Sequence, residues 1–249
     1  MQYLDRPRPP AGPPWAHHSL GSSVHAALLD WWDLPPERRT PESGGALLEE
    51  RWIDQGFRDQ TQSTAKRARA RAHVEAYLAD VDPGREPIGR ERTVAVRTEH
   101  AALNGRVDRI DESGDGLVVV DYKTGRTPPG LDDARSSVAL AVYAAGCETV
   151  FHRRCLRVEL HHLPTGSMAV WESPPEWIGR HLGRVDSLCT ELQAADDTFR
   201  SGISAQDSDE LFPANVGPLC GWCDFRESCV EGMAVPRQPS WAGVEERDG

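Results

Sequence analysis

Two short stretches hold the residues most able to do chemistry: Gly105-Arg106-Val107-Asp108-Arg109-Ile110-Asp111 and Val118-Val119-Val120-Asp121-Tyr122-Lys123-Thr124-Gly125. If each is an extended strand, its side chains alternate between faces, so Asp121 and Lys123 share one face while Tyr122 takes the other. A hairpin between the strands brings Asp108 beside that pair. Two carboxylates and an ammonium at one sheet edge make a site for a hard cation. Mg²⁺ prefers oxygen ligands and keeps several waters, so two carboxylates and a backbone carbonyl are an adequate set. An ion there lowers the pKa of water and neutralises a phosphodiester. The lysine can then orient or deprotonate the water, or stabilise developing charge. A surface hairpin with an Asp–Lys ion pair has the same bare spacing. The apolar run Leu117-Val118-Val119-Val120, ending abruptly in Asp121, favours a site.

The elements around these stretches follow from periodicity. Val24, Ala27, Leu28 and Trp31 recur at helical spacing, which predicts a helix over 19–33 that Pro35 and Pro36 end. Further helices are expected over 45–57 and 61–79, the latter with Lys66 and Arg67 in its basic front half. The period then becomes alternating, with strands expected over 91–99, 103–111 and 117–123. Glu112-Ser113-Gly114-Asp115-Gly116 supplies the turn between the last two. A helix over 132–147, strands over 156–163 and 168–172 around Pro164-Thr165-Gly166, and a helix over 175–193 complete the set. Residues 201–218 read as a polar loop. This order allows a mixed sheet flanked by helices, an α/β fold.

Composition bounds the function. With 249 residues, 39% hydrophobic and 27% charged, the chain can bury a core. No apolar run approaches the roughly 20 residues of a membrane helix. The N-terminus shows no secretory pattern, so a cytoplasmic protein is expected. The net charge of −11 argues against a chain coated by nucleic acid while allowing a local basic groove.

With these residues in place, the sequence resembles the RecB-type branch of the PD-(D/E)XK nucleases. GRVDRID followed by VVVDYKTG matches both halves of that branch's pattern, in order, across a short turn. Gly21-Ser22-Ser23-Val24-His25 matches its G-x-x-[VF]-H. The resemblance implies a restriction-endonuclease-like core of helix, three-strand meander, helix and strand. It also implies that Asp108, Asp121, His25 and the Tyr122 carbonyl hold Mg²⁺ or Mn²⁺, with Asp108, Asp121 and Lys123 as the catalytic set. Glu91 sits where relatives often carry a glutamate, and no role is assigned to it. Relatives carry Q-x-x-x-Y on the next helix. Here Tyr143 is present and Ala139 replaces the glutamine. Tyr143, Arg109, Lys66 and Arg67 are the expected DNA contacts.

Cys220, Cys223 and Cys229 form C-x2-C-x5-C, three soft ligands within ten residues, which suits an iron–sulfur cluster or zinc. In the iron–sulfur nucleases of the branch, such a group holds a 4Fe–4S cluster with a fourth cysteine far upstream. No cysteine precedes Cys147 here, so the expectation is either that Met1 is an internal start of a longer natural chain or that the cluster is incomplete, completed by another residue or replaced by zinc. Cys147, Cys155 and Cys189 read as core thiols.

The expectation is one nuclease domain over 1–249: a helical part over 19–90, the core over 91–195, the cysteines within 211–232 and a disordered tail over 234–249. Its function would be single-strand DNA exonuclease action in repair, with a helicase as partner and no membrane. The alternative is a catalytically weak DNA-binding module or helicase-complex subunit of the same fold. The third is a small zinc-binding interaction protein.

Overall fold

The computed structural model describes residues 12 and 14–245. Two compact units divide the chain, one of residues 20–53 and 64–192, the other of residues 1–19, 54–63 and 193–249.

The first unit contains a five-stranded sheet in the order β1-β2-β3-β4-β5. The strands are β1 (Gly89–Arg97), β2 (Ala102–Ser113), β3 (Gly116–Lys123), β4 (Cys155–His162) and β5 (Ser167–Glu172). β3 and β4 are parallel and the other neighbours antiparallel. The expected order of helix, three-strand meander, helix and strand is present, and the fold is α/β. Leu117, Val118, Val119 and Val120 are all buried, because β3 is covered on both faces. Leu117 and Val119 join a core against α5 (Val138–Phe151). Val118, Val120 and Tyr122 join a second core with Val24, Leu28 and Trp31 of α1 (Ala16–Asp33) and Ala70, Val74 and Leu78 of α3 (Gln60–Ala79).

Several boundaries differ from the sequence expectation, three of them for a clear local reason. The helix expected over 45–57 is α2 (Pro41–Glu50), because Thr40 caps it in a reciprocal box with Ser43 and Pro41 pre-sets its first turn. Gly44 lies inside it, since a Cβ there would stand 2.1 Å from Leu78 Cδ1. The helix expected over 132–147 is two, α4 (Leu131–Ser136) and α5. Ser137 is extended between them and its hydroxyl accepts from the Leu140 amide. Within 201–218, expected as loop, Ala205–Leu211 forms α7 behind the Ser204 cap; α6 spans Pro175–Arg200.

In the second unit, Trp15 packs on Trp222 with ring centroids 4.7 Å apart, and Ser240 accepts from the Ala16 amide and donates to the Gly56 carbonyl. Of the expected tail, Ala242–Val244 is a 3₁₀ turn, and 246–249 lie outside the described residues, as does Met1. No described helix is long and apolar enough to cross a membrane.

Candidate active site

β2 does not keep a strict two-residue period. Val107 and Ile110, three apart, enter the same core, while Arg109 faces Tyr77 and Tyr122 of the other. The break falls at Asp108. β1 pairs with Arg90 opposite Arg109 and Arg92 opposite Val107, so Glu91 stands across from Asp108. Glu91 has φ 43°, a left-handed conformation that costs of order 1–3 kcal/mol for a residue with a side chain. Two acidic residues thus occupy matched irregularities on neighbouring strands. The β2–β3 ladder runs from Ser113 to Arg109, and beyond it the Tyr122 amide donates to Asp108 Oδ2 at 2.6 Å.

Helix α1 brings His25 to this point. Its Nδ1 is 3.3 Å from Asp108 Oδ1 and 3.4 Å from Glu91 Oε1. Burial opposes charging the imidazole, yet the hydrogen bonds it donates to Asp108 and Glu91 prevail and raise its pKa to about 10. His25, Glu91 and Asp108 offer ligand atoms that all lie within 4.8 Å of one another. Asp121 is next to them and outside that trio. Burial and then the Asp108 charge raise its pKa, against the pull of Lys123. Lys123 Nζ is 2.6 Å from Asp121 Oδ2, but the contact is not aligned as a hydrogen bond and that buried oxygen has no described hydrogen-bond partner. Carboxylates crowded this way fit a hard divalent cation. The carboxylates suit Mg²⁺ or Mn²⁺, and the imidazole would add a nitrogen ligand.

Tyr143 of α5 faces the same group. Burial, then the charges of Asp121, Asp108 and Glu91, raise its pKa, so its hydroxyl stays protonated beside the carboxylates. Gly105 makes room for the ring, since a Cβ there would lie 2.2 Å from Tyr143 Cε1. Gly105→Ala is expected to lower stability by about 1–3 kcal/mol through overpacking. In urea unfolding the midpoint should fall at constant slope.

The structure therefore groups Asp108, Asp121, Lys123, His25 and Tyr143, and adds Glu91. It places Arg109, an expected DNA contact, elsewhere. Arg109 is buried on the sheet face shared with α3, bonded to Asp111 at 3.0 Å and to Tyr77 Oη at 3.0 Å, with Trp32 and Tyr122 against its guanidinium. The Tyr122 ring lies on that face too. Lys66 and Arg67 are half-buried on α3. Glu91 was visible in the sequence as an acidic residue opening a strand. Its left-handed backbone, which aims it at His25, carries no signal in composition or period.

The three C-terminal cysteines sit in the second unit, where Cys223 is exposed and Cys229 Sγ accepts from the Gly232 amide at 3.2 Å. Among the described residues, the side chains whose ligand atoms gather within 4.8 Å of one another are His25, Glu91 and Asp108, not these cysteines. Cys147 and Cys155 are buried, and burial pushes both thiols up to about 12, consistent with core roles.

A family model described as the PD-(D/E)XK nuclease superfamily matches residues 1–230. No curated protein matches the chain.

Proposed function

The chain belongs to the PD-(D/E)XK nuclease superfamily, and from that premise we propose that it is a Mg²⁺- or Mn²⁺-dependent deoxyribonuclease that degrades single-stranded DNA. The observation that carries this reading is the convergence of His25, Glu91 and Asp108, with Asp121 and Lys123 beside them. A divalent ion bound there would act as a Lewis acid, activating water and offsetting charge on the phosphodiester.

The chain's own groups do the rest. His25, Asp108 and Asp121 hold the cation, with Glu91 completing the set and the Tyr122 carbonyl as the further oxygen of the family pattern. Lys123, anchored by Asp121, holds the attacking water or a non-bridging phosphate oxygen. The charge balance supports a metal requirement for substrate binding. With His25 neutral, as a ligand must be, Glu91, Asp108 and Asp121 outnumber Arg106 and Lys123 by one charge. A divalent ion reverses that sign and makes the site attractive to a phosphate.

The preference for single strands, exonuclease action in DNA repair, a helicase partner and an iron–sulfur cluster on Cys220, Cys223 and Cys229 belong to the same reading. They rest on the likeness to the RecB-type pattern. The test is purified protein with labelled single- and double-stranded DNA. Cleavage is expected with Mg²⁺ or Mn²⁺, absent in EDTA, and lost in Asp121→Ala and Lys123→Ala. Failure of cluster-replete wild type to cut DNA with either ion would overturn the proposal. DNA binding that persists in EDTA without cleavage would instead favour a non-catalytic module, the reading to which Ala139 points.

A further inference from the structure

We propose that Arg106 is a substrate-phosphate contact of this site, held ready by Glu91 and matched across the carboxylates by Lys123. The inference rests on the nuclease reading above and adds a residue outside the motif positions that carry it.

Arg106 Nε lies 2.5 Å from Glu91 Oε2, and Glu91 Oε1 faces His25 Nδ1 at 3.4 Å. The guanidinium is thus one carboxylate away from the cluster that could hold an ion. Its partner is recessed while it is not: the Glu91 side chain is 12% exposed and that of Arg106 is 64%. A guanidinium has five N–H donors in a planar fork. Glu91 engages the Nε side, and no contact described for Arg106 uses either terminal nitrogen. Those donors face solvent at the rim of the site, in a geometry suited to the oxygens of a phosphodiester.

On the other side, Lys123 is 47% exposed and similarly anchored by its less exposed partner Asp121. Two cations therefore bracket the carboxylates, each tied inward by one acidic residue and open outward. A purely structural role explains this poorly, because an ion pair with one partner so exposed adds little stability. Each pair instead orients a long flexible side chain before substrate arrives, which reduces the entropy lost on binding. The strand phosphate entering between them would meet Lys123 on one flank and Arg106 on the other. Glu91, relieved of repulsion by Arg106, would keep its inner oxygen aimed at His25.

The experiment measures binding of the full chain to a short single-stranded oligonucleotide in Ca²⁺ over a range of salt concentrations. Wild type, Arg106→Gln and Arg106→Lys are compared, with cleavage kinetics in Mg²⁺ run in parallel. Arg106→Gln is expected to weaken binding about tenfold and to reduce the slope of log affinity against log salt by about 0.7, the loss of one single-strand phosphate contact. Arg106→Lys should restore the slope while recovering only part of the affinity. In Mg²⁺, KM should rise more than kcat falls. If Arg106 only positions Glu91, the slope will not change, and Arg106→Gln will lower kcat and the affinity for Mn²⁺; that outcome overturns the proposal. Failure of wild type to bind or cut DNA would overturn the nuclease reading and this inference with it. Normal wild-type cleavage with an unaltered Arg106→Gln would sink this inference alone.

Discussion

Asp108→Asn is expected to lower kcat/KM for DNA cleavage by about a thousandfold, or about 4 kcal/mol of barrier. Asp108 bonds on both sides: Oδ1 to His25 and Oδ2 to the Tyr122 amide. Asparagine can keep one of these contacts, since its carbonyl can accept from the Tyr122 amide. It then turns an N–H₂ toward His25 and removes the charge that a cation would share with Glu91. The backbone beyond the β2–β3 ladder should hold while cation affinity collapses. Thermal unfolding with and without Mg²⁺ checks this directly. Wild type saturated a hundredfold above its dissociation constant should gain about 2.7 kcal/mol from the ion, and Asp108→Asn should gain almost none. Glu91→Gln should have a smaller effect on cleavage, because it leaves both motif aspartates in place. Near-wild-type cleavage by Asp108→Asn would remove the central carboxylate from the mechanism.

What the sequence revealed of this site depended on whether backbone regularity held. On β3 it did: alternation assigns Asp121 and Lys123 to one face and Tyr122 to the other, and that is how they lie. Helical spacing likewise put His25 on the helix whose apolar stripe, Val24, Ala27, Leu28 and Trp31, packs under the sheet. Regularity failed at Asp108 and Glu91. A left-handed glutamate and a shift between faces on β2 depend on tertiary packing around His25, which no local pattern encodes. Arg109 needs no such break. It follows Asp108 in the motif and looked, as a basic residue there, like a DNA contact, but ordinary alternation from Asp108 carries it to the Tyr122 face of the sheet, into the core beneath α3. Helix boundaries went astray where a cap or a close approach outweighed the apolar period, as at Thr40 and Gly44.

Arg109 therefore yields the second large prediction, one of stability. The residue is 8% exposed, and its guanidinium donates to Asp111 and to Tyr77 Oη. Tyr77 Oη, which accepts from the arginine, also lies 2.9 Å from His161 Nδ1. His161 Nε2 in turn lies 2.7 Å from Glu159 Oε2. Burial would raise the pKa of Glu159, but the bonds from His161 and Arg157 bring it down to about 2. Arg109→Leu removes the donor that orders this chain and leaves Asp111, whose side chain is 16% exposed, without its partner. Breaking a buried pair from one side costs about 3–5 kcal/mol. For a chain of this size that is a fall in Tm on the order of 10 °C. DNA affinity measured well below the lowered Tm should stay within about threefold of wild type, since the residue is buried on the opposite face of the sheet and contributes no phosphate contact. The opposite pattern, an unchanged Tm with a lost salt-dependent contact, would return Arg109 to the substrate-binding surface and contradict the packing of β2 described above.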